Sequence, residues 1–394
     1  MSLARSSLIR PMPLLCLAAI STFATTLPSR AQEKLAFRID DEVTRFAFSG
    51  DGRIAYSTRH VFSQNKIQLQ RDDLWIAERD GKKKRILQGD KFVRGTGPFS
   101  YLVRGLRWSP DGKKLAVELA TSEMINDAGD TREGVATLLV DDNGSEIPVA
   151  GGDSVIAGAS NAAWLGDNAT LVYLTAAAPQ ARPTMSEKAQ APNRQALFSM
   201  NLVRPATAPA TAIFPLVKFV AIAWSLAKNS VLVVEPNTVS LPDAPPYALL
   251  SLDPAKQDAK VLDLLNGYAG GLSVSPSGTK AAYWVGNEQL EVREIASSNR
   301  AARLHVLLGT LAWSGSEKRL LVKQGAAGKS GSLVWLTLPQ LSAIAAGATP
   351  PTQDVVLPSI LHDLEFRQFD ISPDGNLLGV VEPGRRNLFV YSLP

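Results

Sequence analysis

The sequence predicts an all-β chain: a seven-bladed β-propeller of four-stranded antiparallel blades, the last blade closed by an N-terminal strand. Three observations carry this expectation. One turn phrase recurs seven times, each copy is followed by a second hairpin, and the central strands read as unbroken apolar runs.

The phrase is a short apolar strand ending in an aromatic or branched residue, then Ser, a tight turn and a second apolar strand. It runs Phe46-Ala47-Phe48-Ser49-Gly50-Asp51-Gly52 in the first copy and Leu106-Arg107-Trp108-Ser109-Pro110-Asp111-Gly112 in the second. Degenerate copies follow at Ala163-Trp164-Leu165-Gly166-Asp167 and Ala223-Trp224-Ser225. The last three are Ser273-Val274-Ser275-Pro276-Ser277-Gly278, Ala312-Trp313-Ser314-Gly315 and Asp370-Ile371-Ser372-Pro373-Asp374-Gly375. Key positions 48, 108, 164, 224, 274, 313 and 371 lie 39 to 60 residues apart. Pro presets φ for the first turn position, and Asp-Gly supplies a side-chain acceptor and a positive φ, so each phrase reads as a hairpin.

Each copy then carries a third strand and in most cases a fourth. Third strands are expected at Leu74–Ala77, Ala136–Val140, Leu197–Leu202, Tyr247–Leu252, Gln289–Ile295, Ser332–Leu338 and Asn387–Leu393. Val231-Leu232-Val233-Val234 and Leu320-Leu321-Val322 lack the polar alternation that an exposed sandwich strand would show, as expected of a sheet covered on both faces. The seventh copy lacks a fourth strand after Leu393, whereas Leu35-Ala36-Phe37-Arg38-Ile39 precedes the first phrase without a blade of its own. Pairing the two closes the ring, and residues 32–394 then form a single propeller domain.

Trp-Ser-Pro-Asp-Gly-Lys-Lys-Leu-Ala at 108–116, with Asp-Leu-Trp-Ile-Ala-Glu-Arg-Asp-Gly at 73–81, resembles the repeat of the TolB-like, WD-repeat-like propeller superfamily. Similar repeats build the propellers of prolyl oligopeptidase and dipeptidyl peptidase relatives. The resemblance implies fold more than function, because its motif residues are turn formers and core aromatics. Neither the hydrolase domain of those peptidases nor the extra N-terminal domain of TolB has a counterpart here.

The first 31 residues read as an export signal. Arg5 and Arg10 precede an apolar stretch from Leu14 to Leu27, shorter than the roughly 20 residues of a spanning helix. Ser29-Arg30-Ala31 presents small residues at the peptidase positions, so cleavage is expected after Ala31; retention as an anchor is the alternative. The expected location is periplasmic or extracellular, with no transmembrane segment after cleavage. The sole cysteine, Cys16, lies in this segment, so thiol, disulfide and cysteine-metal chemistry are absent from residues 32–394. Three of the 41 basic residues also lie there, leaving 38 against 37 acids and no charge excess to recommend nucleic acid as a partner.

The sequence offers no catalytic, cofactor-binding or metal-ligating residue to assign. Gly271-Leu272-Ser273-Val274-Ser275 lacks the second Gly of a nucleophile elbow. His60, His305 and His362 stand apart without metal-ligand spacing. Asp141-Asp142-Asn143-Gly144 reads as a hairpin turn rather than a calcium loop, and Lys82-Lys83-Lys84-Arg85 as a solvated outer edge.

The informative irregularities are long connections on one face, at Thr58–Asp72, Gly89–Arg104, Thr121–Gly134, Ala176–Arg194 and Glu235–Pro246. Phe92, Arg94, Phe99, Tyr101 and Arg104 combine aromatic and basic groups and are the candidate partner-binding residues. Packing of these aromatics back onto the blade is the competing expectation. The function expected is a secreted, non-catalytic scaffold for a protein or cell-envelope ligand. The alternative is a propeller lyase, lactonase or quinoprotein-like dehydrogenase working at the channel mouth.

Overall fold

The computed structural model describes residues 34–64, 66–92, 99–124, 131–149, 152–176, 197–237, 243–296, 301–324, 332–338, 352–354, 368–382 and 384–393. The fold is the expected seven-bladed propeller, each blade a four-stranded antiparallel sheet. After β1 (Lys34–Ile39), blade 1 holds β2 (Val43–Phe48) and β3 (Ile54–Thr58), an inserted hairpin of β4 (Val61–Gln64) and β5 (Ile67–Gln70), then β6 (Asp73–Ala77) and β7 (Lys83–Leu87). Blade 2 is β8 (Phe99–Trp108), β9 (Lys114–Met124), β10 (Thr131–Asp141) and β11 (Val155–Ala157). Blade 3 is β12 (Ala159–Trp164), β13 (Leu171–Ala176), β14 (Leu197–Val203) and β15 (Thr211–Lys218), and blade 4 is β16 (Ala221–Ser225), β17 (Ser230–Pro236), β18 (Tyr247–Asp253) and β19 (Asp258–Leu265). Blade 5 is β20 (Gly270–Val274), β21 (Lys280–Trp284), β22 (Gln289–Glu294) and β23 (Ala301–His305), and blade 6 is β24 (Leu311–Trp313), β25 (Arg319–Gln324), β26 (Ser332–Thr337) and β27 (Thr352–Asp354). Blade 7 is β28 (Phe369–Ile371), β29 (Leu377–Val381) and β30 (Leu388–Ser392), and its fourth strand is β1, with Ile39 opposite Leu388 and Lys34 opposite Ser392.

Turn chemistry explains why the phrase recurs. The residue three places after its Ser, or after Leu165 in blade 3, has positive φ: Gly52, Gly112, Asn168, Gly278, Glu317 and Gly375. Blade 4 lengthens the turn by one residue, and Asn229 takes that role. The Ser is buried, and in blades 1, 2, 5, 6 and 7 it bonds within its turn: Ser109 Oγ donates to Asp111 Oδ1 at 2.6 Å and accepts from the backbone N–H of Lys114 at 2.9 Å. Ser372 repeats this with Asp374 and Leu377. The remaining polar groups of a tight reversal are thereby satisfied without water.

The hydrophobic core is divided among the blade interfaces. Leu74, Ile76 and Ala55 of blade 1 pack on Leu115, Val117 and Leu106 of blade 2. The corresponding cluster between the last and first blades joins Val381, Leu388 and Val390 to Ile54 and Tyr56, so the ring closes by apolar packing as well as by the β1–β30 ladder. Unbroken apolar strands are thus what a blade covered on both faces requires.

Three connections expected as loops are partly strand. Residues 58–72 contain the β4–β5 hairpin, and Phe99–Arg104 and Thr121–Met124 extend β8 and β9, with Phe99 opposite Glu123 and Tyr101 opposite Thr121. Pairing continues because β10 is equally long, running beside β9 from Thr131 to Asp141. The segment 177–196 and the first 33 residues, including the expected signal segment, lie outside the described residues.

Candidate functional site: the channel mouth at blades 7, 1 and 2

The first strand of every blade stands nearest the ring axis, so these strands wall the central channel. The pairing of this strand with the second shifts register near its start in blades 1, 3 and 5, between Val43 and Arg45, Ser160 and Ala163, and Gly270 and Ser273, and in mid-strand in blade 2, between Val103 and Gly105. A bulge of this kind re-aims side chains that strict alternation would commit to a blade face. In blade 1 the bulged Thr44 turns inward; in blade 2 the bulged Arg104 is exposed.

Beside this mouth, Arg45, Arg104, Arg107, Gln368 and Asp370 line one cavity of about 290 Å³. Arg107 also lines the adjoining space of about 260 Å³, which continues past Asn161, Ile222 and Ser273. Arg45 spends its guanidinium on carbonyls, with Nε donating to Arg104 O at 3.0 Å and Nη1 to Thr44 O at 2.7 Å. The guanidinium groups of Arg104 and Arg107 form no hydrogen bond or ion pair with another described residue. Asp370 is reached by solvent along the channel, yet protein surrounds it, and that desolvation raises its carboxyl above the ordinary aspartate range. The backbone N–H of Ile371, at 2.9 Å, and the charge of Arg107 pull the other way.

A buried network sets the position of Arg104. Asp72 is fully buried and accepts from the backbone N–H of Val103 at 2.9 Å, Arg59 Nε at 3.0 Å and Thr44 Oγ1 at 3.5 Å. Burial nonetheless raises its carboxyl, outweighing those donors. Arg71, only 1% exposed, donates from Nε to Phe99 O at 2.7 Å and from Nη1 to Phe92 O at 3.2 Å, and stacks over Phe62 at 4.9 Å. These bonds fasten the β4–β5 hairpin to the upper half of β8, and Gln70 N–H adds a bond to Ser100 Oγ at 3.2 Å. The result is a wall standing over the face that holds the N-terminal ends of the inner strands.

Among the five residues predicted for partner binding, the structure divides the roles. Phe92 and Tyr101 are buried edge to face at 5.4 Å in the core between blades 1 and 2, and Tyr101 Oη donates to Asp72 O at 3.0 Å. Phe99 is half-buried against Tyr101, Arg104 is exposed at the mouth, and Arg94 lies outside the described residues. The aromatics thus pack back onto the blade, because the long β8 carries them into its own interface, and only Arg104 faces the channel. Arg45, Arg107, Gln368 and Asp370 were not singled out by sequence. A signal existed: the residue before the key position is Ala or Ser in five copies, and is Arg107 and Asp370 in the other two.

Other sequence motifs keep structural roles. Lys83 pairs with Asp41, Arg85 with Asp73, and Lys82 with Asp80, while Lys83 and Arg85 cover Trp75. Asp141 Oδ1 accepts from the N–H groups of Asn143 and Ser145, both at 2.8 Å, and closes a hairpin turn. His60 Nδ1 is 4.0 Å from Asp73, His305 is exposed on β23, and His362 lies outside the described residues. Among the described residues, no three His, Cys, Asp or Glu side chains gather as a metal site.

No family model matches the chain, and neither does any curated protein. Solved structures match in fold. A chain of the mitotic checkpoint complex is 13% identical with a TM-score of 0.51, over 97% of this chain and 99% of that one. The β-propeller domain of Cps50 (Swd1) from Myceliophteria thermophila is 11% identical with a TM-score of 0.50, over 92% and 100%. The acylaminoacyl peptidase of Pyrococcus horikoshii is 10% identical with a TM-score of 0.50 over 90% of this chain, which spans 51% of that enzyme. At such identities the likeness is one of architecture, and it agrees with the propeller resemblance carried by the turn phrases.

Proposed function

We propose that this chain is a secreted, non-catalytic binding propeller that holds a protein or cell-envelope ligand on the face bearing the channel mouth. The observation that supports it most is the wall of β4, β5 and the overlong β8–β10, raised on that face beside the exposed Arg104. Propellers present binding surfaces by varying such connections on a rigid ring. Val61, 45% exposed on the hairpin, offers apolar contact beside the basic mouth. Export is supported by the Leu14–Leu27 stretch and the Ser29-Arg30-Ala31 site. Among the described residues no helix is long and apolar enough to cross a membrane.

A photo-crosslinking residue placed at Val61 or Arg104 is expected to capture one defined partner from an envelope extract. The same residue at Lys256, on the turn between β18 and β19 at the opposite face, should not. Equal capture at all three positions, or none at Val61 and Arg104, overturns the assignment of the face. N-terminal sequencing of the exported chain should begin at Gln32; a retained Met1 overturns cleavage.

A further inference from the structure

We propose that the open edge of β10 at residues 131–135 takes up an extended peptide segment of a partner protein as an added antiparallel strand. The inference rests on the binding face proposed above and names the kind of ligand that its wall holds. β10 is the third strand of blade 2, and its covering strand, β11, pairs only with Ala136, Thr137 and Leu138. Beyond them Thr131, Arg132, Glu133, Gly134 and Val135 are all exposed, paired to β9 on one side and, among the described residues, to no strand on the other. Gly158 N–H donates to Val135 O at 2.7 Å and Leu139 N–H to Ser154 O at 3.0 Å, so odd-numbered residues of β10 turn their backbone groups toward this edge. The N–H groups of Thr131, Glu133 and Val135 and the carbonyls of Thr131 and Glu133 therefore point outward, a pattern that another extended backbone completes. Outer edges elsewhere are guarded: β7 carries Lys83, Lys84 and Arg85, β19 is bulged, and β27 is three residues long.

Side chains along the edge select the occupant. Leu102 and Ala120, both half-buried, lead across the sheet to Val135, which is 41% exposed at the open edge. The next row on that face, Ser100 and Ser122, ends on Glu133, whereas Arg132 lies on the other face and donates to Glu123 Oε2 at 2.7 Å. An added strand thus gains from an apolar residue opposite Val135 and a basic one opposite Glu133, which comes two positions later in its own sequence. A second copy of this edge supplies neither. Antiparallel self-pairing sets the two Arg132 side chains opposite each other in one register and the two Glu133 side chains in the next, and sliding further runs into β11 at Ala136.

Fluorescence anisotropy of a labelled peptide, Thr-Thr-Val-Thr-Lys-Thr, titrated with the full chain tests the inference, its Val set opposite Val135 and its Lys opposite Glu133. Binding should be saturable. N-methylation of the Lys amide, which donates to Glu133 O in the added strand, should weaken it about tenfold or more, whereas N-methylation of the preceding Thr, whose N–H faces away, should not. Glu133→Pro deletes an outward N–H that bonds nothing in the chain, so it should keep the parent's thermal midpoint and lose the peptide. Glu133→Lys should weaken the peptide several-fold and prefer the version with Glu in place of Lys. Absence of saturable binding, equal binding of the two N-methyl peptides, or full binding by Glu133→Pro overturns the inference. Concentration-dependent dimerisation that Glu133→Pro abolishes also overturns it, by making a second copy the occupant. Crosslinking at Val61 and Arg104 with no peptide binding overturns the added strand alone and leaves the binding face standing.

Discussion

Arg45 Nε donates to the carbonyl oxygen of Arg104 at 3.0 Å, latching the inner strand of blade 1 to the bulge of blade 2 across the channel wall. The same guanidinium bonds Thr44 O at 2.7 Å, beside the bulge of its own strand. Both irregular backbone segments therefore depend on one side chain for an acceptor's partner. Arg45→Met is expected to cost about 0.5–1.5 kcal/mol, the net worth of such bonds where water can reach the freed carbonyls, read as a lower urea midpoint with an unchanged slope. Arg45→Lys should recover only part, since an ammonium lacks the fork that reaches both carbonyls.

Removing Arg71 should loosen the wall while the ring persists. Its guanidinium serves Phe99 O and Phe92 O from a buried position. In Arg71→Met, hydrogen exchange of Phe99–Val103 should accelerate by tenfold or more, while β16–β18 in blade 4 keep parental protection. Uniform acceleration in every blade would show that the wall is no separate unit.

Blades 6 and 7 meet backbone to backbone at their turns. A Cβ on Gly375 would lie 2.6 Å from the Cα of Gly315, and Gly375 has φ +76°. Gly375→Ala is therefore expected to lower the thermal midpoint by several degrees, through about 1–3 kcal/mol of strain and displacement. Gly384→Ala, also at positive φ but with open space around its Cβ, should cost less.

Asp370 predicts a pH dependence with a definite sign. Its native carboxyl is raised by desolvation, so the folded state binds the proton more tightly than the unfolded chain does. Protonation therefore favours the fold: this contribution is complete below the ordinary aspartate range and is lost as pH rises through the raised native value. Arg45, Arg104 and Arg107 line the same cavity, and the charge of Arg107 opposes the rise and moderates the effect. Asp370→Asn should thus be at least as stable as the parent at neutral pH, and its advantage should shrink on acidification. An advantage that grows on acidification contradicts the assignment. Denaturant midpoints measured across that range provide the test.

The repeat was legible because its determinants are local. A turn needs a residue tolerant of positive φ and a buried Ser to satisfy its polar groups, and both sit within five residues of one another, as at Ser109–Lys114. Copies that lost the Gly remained recognisable by their Trp and flanking strands, with Asn168, Asn229 and Glu317 adopting the required backbone. The segment expected to bind a partner takes a course that composition does not show. Its aromatics look exposed in a supposed loop, but β8 extends through it and buries Phe92 and Tyr101 at a blade interface.

By itself the sequence determined the number of blades, the turns between their strands and the use of β1 to complete blade 7. Each of these follows from short-range backbone preferences and from counting strands. Only the tertiary structure decided what the channel contains. Arg45, Arg104, Arg107, Gln368 and Asp370 come from opposite ends of the chain, and ring closure brings them to one cavity. Which way an inner-strand side chain points depends on a bulge, a one-residue irregularity that reverses faces and leaves no compositional mark. Thr44 turns into the Asp72 network and Arg104 stands exposed at the channel mouth for that reason.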